Sequence, residues 1–333
     1  MKYVFGPVPS RRLGQSLGID TIPLKTCNWN CVYCQLGRTK PLTNQRKAYY
    51  PPEEILMEVR EALELHDPGK IDWVTFVGSG EPTLHIDIGW LIRQVKQITR
   101  LPVAVITNGS LFFLPEVRRE LTAADAVLPS LDAGTSPLYR KINRPYPEIT
   151  FERYLNGLIE FRKEYWGKLW IEVMLVRDLN DTEDALRGLS RAVEQIMPDE
   201  VHIVFPTRPP VETWVHPPEG GSLLRARAML GQFAKIVQPI AGTFDLSGYE
   251  NPIDAILSII SRHPMQQGQI ERSMYQWSPK QVQAALTRLE VSGQVQRISR
   301  GGNIFWCSRS CEYPSEAQSL QTSPNTIKQR IDP

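Results

Sequence analysis

Long apolar runs are missing from this 333-residue chain. Its most apolar stretches, such as residues 253–260, carry charge and fall far short of the roughly 20 apolar residues that span a bilayer as a helix. Net charge is nearly absent too: 38 Lys and Arg stand against 36 Asp and Glu, a formal +2. That balance excludes a surface that tracks a polyanion along its whole extent, though it leaves room for a local basic patch. Low-complexity tracts are also missing from a composition that is 41% apolar and 22% charged. Such a chain can bury one large core and a second, smaller one, and two domains are expected. The first twelve residues contain Pro7 and Pro9 and no apolar core of a secretory signal, so a cytoplasmic location is expected.

Cysteine is scarce and odd in number. Five cysteines in a chain of this length read as thiols or metal ligands rather than as a disulfide framework. Cys27, Cys31 and Cys34 lie within eight residues, while Cys307 and Cys311 stand far away. Three thiolates in one short loop call for a metal. A structural zinc site closes with four ligands, and none stands nearby in sequence, so the fold would have to bring His66 or His85 to the loop. Haem attachment through Cys-x-x-Cys-His is excluded because Gln35 follows Cys34. Inert buried thiols are the plain alternative, and the spacing argues against them. Cys307 and Cys311 read as two unrelated thiols.

Strand patterns at 17–20, 73–77, 103–106, 126–131, 169–176 and 201–205 alternate with helical patterns from about residue 53 and over 88–98, 154–162 and 185–196. Six βα units make a parallel sheet. Polar turns follow its strands at 78–83, 107–110 and 132–135, where parallel α/β architectures keep their chemistry. Six units are too few for a closed eight-stranded barrel, and a barrel left open would admit a large substrate. A Pro-rich linker over 205–221 precedes a helix expected over 222–237. Beyond Gly248 the pattern changes to a helix at 252–261, a Ser278-capped helix and a hairpin at 294–307 around Gly301-Gly302-Asn303, which resembles a winged helix. The expected division is a barrel domain at 1–240, a winged-helix-like domain at 248–311 and a disordered Ser-, Gln- and Pro-rich tail at 312–333. Arg297, Arg300 and Arg309 flank the wing, where a nucleic-acid backbone or a protein partner would be met. Arg11, Arg12 and Arg144 are candidates for holding an anionic substrate, with ordinary salt bridges as the alternative.

Cys27-x3-Cys31-x2-Cys34, with Tyr33 before the last cysteine and a strand before the loop, resembles the signature of radical S-adenosylmethionine (SAM) enzymes. The resemblance implies a partial (βα)6 TIM-like barrel. It also implies a [4Fe-4S] cluster held by the three cysteines, with one iron left open to chelate the amino and carboxylate groups of SAM. Val77-Gly78-Ser79-Gly80-Glu81-Pro82 is similar to the Gly-Gly-Glu-Pro motif of that superfamily, with Ser79 in place of its first glycine. By the same resemblance Tyr33, Gly80, Glu81 and Pro82 belong to the SAM site, with Glu81 receiving the methionine ammonium. Thr107, Asn108, Ser130 and Asp132 would contact its ribose and carboxylate, and Met174 and Val176 its adenine.

Residues 11–20, 31–39 and 141–145 resemble the branch named after wyosine tRNA-modification enzymes, over about residues 3–215. The molybdenum-cofactor GTP cyclase is similar in the core. Neither family's second cluster is implied, because no cysteine precedes Cys27 and only two stand near the C-terminus. The expected function is reductive cleavage of SAM to a 5′-deoxyadenosyl radical that abstracts hydrogen from a substrate. Electrons would come from a ferredoxin or flavodoxin, and the substrate class expected from an open barrel is a macromolecule, RNA or protein. The alternatives are a cluster-bearing, SAM-sensing regulator that binds DNA through the winged helix, and a zinc-bound scaffold.

Overall fold

The computed structural model describes residues 1–67, 69–238, 244–246 and 248–323. Eight strands lie in sequential order in one sheet. β1 (Val4–Ser10) pairs antiparallel with β2 (Gly14–Ile19). From β2 onward neighbours run parallel through β3 (Trp73–Phe76), β4 (Val103–Thr107), β5 (Ala126–Pro129), β6 (Lys168–Met174), β7 (Glu200–Val204) and β8 (Ala234–Ile236). The expected six parallel units are β2 to β7, and the ends β1 and β8 leave the barrel partial. β5 is buried along its whole length, as a strand covered on both faces must be.

Helices cover the outside: α1 (Pro52–Leu65), α2 (Ile88–Ile98), α3 (Pro115–Leu121), α4 (Ser136–Ile142), α5 (Phe151–Glu164), α6 (Glu183–Ile196) and α7 (Gly220–Met229). α6 shows why they form where they do. The Thr182 hydroxyl accepts from the Ala185 amide to start the helix, and Leu186, Leu189, Ala192 and Ile196 at helical spacing are buried. The helix expected over 222–237 ends at Met229. Gly231 turns the chain with φ +92°, a conformation glycine adopts without strain, and 234–236 then pair with β7 as β8.

The C-terminal module contains α8 (Pro252–Ile260), β9 (Met265–Gln266), α9 (Gln267–Ser273), α10 (Pro279–Val291), β10 (Val295–Arg300) and β11 (Asn303–Ser308). Its strands form a separate sheet in the order β10-β11-β9, over a second core that includes Ile256, Met274, Leu286 and Trp306. This is a winged-helix arrangement. Gly301 and Gly302, at φ +54° and +76°, make the two-residue hairpin turn of the wing.

The wing arginines do not form a free basic surface. Arg300 donates to the carbonyls of Pro210, Val211 and Pro314, Arg297 pairs with Glu290 at 2.7 Å, and Arg309 bonds Gln296. Nor are residues 312–323 disordered. Residues 312–315 lead without regular structure into α11 (Glu316–Leu320), while the remainder of the expected tail, 324–333, lies outside the described residues. The tail is held by Glu212, a fully buried carboxylate. Glu212 accepts from Ser319 at 2.8 Å and Thr322 at 3.1 Å, and pairs with Arg38 at 3.2 Å and with Arg144. Those arginines, with burial opposing them, hold its pKa below the usual carboxylate value.

Replacing Glu212 by Ala leaves Arg38 and Arg144 without their shared counter-ion and frees α11. Urea unfolding is expected to show a loss of roughly 3 kcal/mol, and trypsin is expected to cleave the C-terminal segment faster than in the wild type. An unchanged midpoint and digestion pattern would contradict this role.

Candidate active site

The cysteine loop leaves β2 and crosses the C-terminal edge of the sheet. Its base is bonded to the turn after β3: the Lys25 amide donates to the Ser79 carbonyl at 2.6 Å, and the Glu81 amide to the Thr26 carbonyl at 2.9 Å. Any Cβ at residue 80 would overlap the Thr26 carbonyl, so Gly80 is what permits this approach. The far side of the loop is pinned by Val32, whose amide donates to the Ile142 carbonyl at 2.9 Å. Trp29 is buried between Tyr139 and Tyr154, each with its ring 5.4 Å away and edge-on.

All three sulfurs face N–H donors. The Trp29 amide lies 3.4 Å from Cys27 Sγ, Asn108 Nδ2 3.8 Å from the same atom, and Asn143 Nδ2 3.8 Å from Cys31 Sγ. Lys25 Nζ lies 3.1 Å from Cys34 Sγ. Burial pulls the Lys25 ammonium down, but the charges of Cys34 and Cys27 outweigh it and leave its pKa raised. Burial pushes the Cys27 thiol up to about 12 and the Cys31 thiol well above its ordinary value. Such thiols become anionic on coordination, and the amide and ammonium donors around them suit metal-bound thiolate.

Neither histidine considered as a fourth ligand arrives through the fold. His85 is engaged with the Tyr50 carbonyl and the Asp87 amide, and His66 with Asp245. Among the described residues no three His, Cys, Asp or Glu side chains converge on a single metal ion. The donor set therefore fits a cluster with one open corner better than a closed zinc site.

Glu81 is buried at the next strand end. Its Oε1 accepts from the Thr83 amide at 3.0 Å and from the hydroxyls of Thr83 and Thr107 at 2.5 and 2.6 Å, and its Oε2 from the Asn108 amide at 2.6 Å. Burial raises its pKa against these four bonds. Pro82 opens the short 3-10 turn that carries Thr83. Asp132, also buried, accepts from the Tyr33 hydroxyl at 2.5 Å, Asn143 Nδ2 at 2.6 Å and the Met174 amide at 2.8 Å. Glu81 and Asp132 thus tie the cysteine loop to the ends of β4 and β6. The Ser130 carbonyl accepts from the Tyr154 hydroxyl, while its own hydroxyl makes no hydrogen bond among the described residues.

A cavity of about 370 Å³ opens beside Cys34 and Tyr33 inside the barrel. Arg11 and Arg12 line it, as do Arg208 from the linker after β7 and Arg262 and His263 from the C-terminal module. Arg144 does not: it is turned to Glu212. Sequence reading missed Arg208, Arg262 and His263, which lie up to 250 residues from the motifs they join. Ser79, which replaces a glycine of the motif, bonds Asp20 through its hydroxyl at 2.6 Å, and Arg262 Nε reaches the same carboxylate at 3.1 Å.

Residues 21–188 match the family model of the radical SAM superfamily, and the chain belongs to that superfamily of enzymes. Within it the chain is a member of the UPF0026 family: it is 34% identical over 310 residues to a UPF0026 protein of Methanocaldococcus jannaschii, covering 92% of this chain and 96% of that one. It is also 50% identical over 207 residues to GTPase Obg of Brachyspira hyodysenteriae, covering 62% of this chain and 30% of that protein's length. The present chain contains no Gly-Lys-Ser or Gly-Lys-Thr of a nucleotide-binding P-loop. At 27% identity, similarity extends to GTP 3′,8-cyclase of Lactiplantibacillus plantarum, over 47% of this chain and 45% of that one. It extends at the same identity to tRNA 4-demethylwyosine synthase of Mus musculus, over 47% of this chain and 23% of that one. The expected kinship with these two families is borne out. The crystal structure of a radical SAM methyltransferase from Sphaerobacter thermophilus aligns with a TM-score of 0.50 at 17% identity, over 66% of this chain and 65% of that one, and shares the fold. No helix among the described residues is long and apolar enough to cross a membrane.

Burial raises Asp132 from 3.8 to about 6, against the bonds from Tyr33, Met174 and Asn143. The native chain therefore holds a proton there that the unfolded chain releases, so this group's contribution to stability is full below pH 4 and is lost as pH rises through 6. Asp132→Asn removes that dependence. The wild type minus Asp132→Asn difference in unfolding free energy is expected to fall by about 2 kcal/mol between pH 4 and 7, and a flat difference would contradict the assignment.

Proposed function

We propose that this enzyme holds a [4Fe-4S] cluster through Cys27, Cys31 and Cys34 and uses SAM to abstract hydrogen from a substrate in the barrel cavity. The observation that carries the reading is the donor set: three sulfurs on one loop at the C-terminal edge of a parallel sheet, each facing an N–H group, with neither His66 nor His85 joining them and with Cys34 on the cavity wall. When bound, the cluster and SAM supply one-electron cleavage to a 5′-deoxyadenosyl radical, the step that protein side chains cannot perform. Ferredoxin or flavodoxin is the proposed electron donor.

The chain's own residues bind and orient. Lys25, Asn108 and Asn143 donate toward the sulfurs. Oε2 of Glu81 keeps acceptor capacity beyond the Asn108 amide, and with Gly80 and Pro82 fixing its turn it is the proposed acceptor for the SAM ammonium. Thr107 and Asn108 hold that carboxylate in place. The free hydroxyl of Ser130 is proposed for the ribose, and Asp132 positions Tyr33 and Asn143 around the loop. The proposed division of labour gives the barrel, residues 1–240, the chemistry and the module at 248–311 a share in walling its mouth. That wall favours a small substrate, and RNA or protein would enter only as a single extruded group. The DNA-binding regulator loses support, because the wing arginines are bonded to this chain.

Anaerobic reconstitution with iron and sulfide, followed by dithionite and SAM, is expected to give a brown protein with about four irons per chain and to release 5′-deoxyadenosine. Cys31→Ala is expected to lose the colour and at least about a hundredfold of the product, because a cluster with two ligands is not retained. Wild-type protein that binds no iron, or that binds it and yields no 5′-deoxyadenosine, would overturn the reading.

A further inference from the structure

The cavity carries more positive charge than the described residues neutralise. Glu172, its one lining carboxylate among the described residues, is paired with Arg12. Arg262 is matched by Asp20. Arg11 and Arg208 remain, and their partners among the described residues are neutral: the Thr207 hydroxyl for Arg11, and Gln35 Oε1 at 3.2 Å and His263 Nδ1 at 2.5 Å for Arg208. Burial, with the charges of Arg208 and Arg262 added, pushes the His263 pKa well down, so its ring stays neutral and accepts from Arg208. Arg12 Nε is buried with no hydrogen-bond partner among the described residues.

We propose that this cavity binds a small phosphate-bearing substrate, its dianionic group seated among Arg11, Arg12 and Arg208. Calling the occupant a substrate rests on the function proposed above; the anion site itself does not. Two uncompensated guanidiniums match the roughly −1.5 to −2 charge of a phosphate monoester better than the single charge of a carboxylate. Planar guanidinium forks suit its oxygens. The site is built rather than incidental. Arg11 comes from the end of β1, and Arg208 from a segment in which Pro206, Pro209 and Pro210 restrict the backbone. Burial together with the charge of Arg11 draws Arg12 and Arg208 down to about 10, so both remain charged at neutral pH and each feels the like charge of Arg11. The volume, about 370 Å³, is that of a small-molecule site.

The test is calorimetric titration of the full-length, iron-reconstituted protein with inorganic phosphate and, separately, with acetate at the same ionic strength and without reductant or SAM. Saturable phosphate binding, at least about tenfold tighter than acetate and weakened about tenfold or more in Arg208→Gln and in Arg11→Gln, is expected. The exposed-surface variant Arg187→Gln should match the wild type. Phosphate binding no tighter than acetate in the wild type would overturn the proposal whether or not the variants fold. So would equal affinity in folded Arg208→Gln and Arg11→Gln, or displacement of phosphate by a single-stranded RNA that lacks a terminal phosphate and binds more tightly. Iron is measured on the same samples: full iron without phosphate binding sinks the anion site alone, and phosphate binding without iron sinks the cluster reading alone.

Discussion

The carbonyl of Thr26 lies where any side chain at residue 80 would have to be. That close approach is what the candidate site depends on. It lets the Glu81 amide close onto the cysteine loop, which sets the loop against the ends of β3 and β4. It also buries Glu81, whose carboxylate then gathers Thr83, Thr107 and Asn108, and Asn108 in turn faces Cys27. A second set of bonds works from the opposite side, where Asp132 draws in Tyr33 and Asn143 around Cys31 and Cys34. A loop that is regular nowhere is held at both flanks by buried carboxylates, each satisfied by hydrogen bonds as burial demands.

The C-terminal module belongs to this construction. Gln35, one residue beyond Cys34, donates to the Arg262 carbonyl and accepts from the Tyr313 hydroxyl through its own backbone. The Arg38 amide donates to the Glu312 carbonyl at 2.7 Å, and Glu212 joins Arg38 to the tail helix. A winged helix in isolation suggests nucleic acid. Here the arginine at the wing grips three carbonyls of its own chain, and the residues after α8 enter the barrel cavity. The same contacts that fix the cysteine loop therefore also narrow the way into the site.

Much of this was legible in the sequence, and the reasons differ by element. The cysteine spacing, the Gly-Ser-Gly-Glu-Pro turn and the six central strands are local patterns, and local patterns survive without the fold. β1 was hidden because Gly6, Pro7 and Pro9 interrupt its alternation, as an edge strand tolerates. β8, at three residues, is shorter than any periodicity can reveal. The tail helix has a sound capping box at Ser315, but its composition reads as disorder, and what orders it is Glu212, more than 100 residues away. Arg11 and Arg12 stood out as a pair. Arg208 and His263 did not, since nothing in sequence links them; only the fold puts one against the other, with Arg11 acting on Arg208.

The central claim is that the three cysteines hold a cluster with one iron open to SAM. Electron paramagnetic resonance of the reduced, reconstituted protein, recorded with and without SAM, tests it most directly. The account predicts a half-spin signal whose line shape changes on adding SAM, because its amino and carboxylate groups would bind the open iron. A cluster signal that SAM leaves unaltered would contradict it.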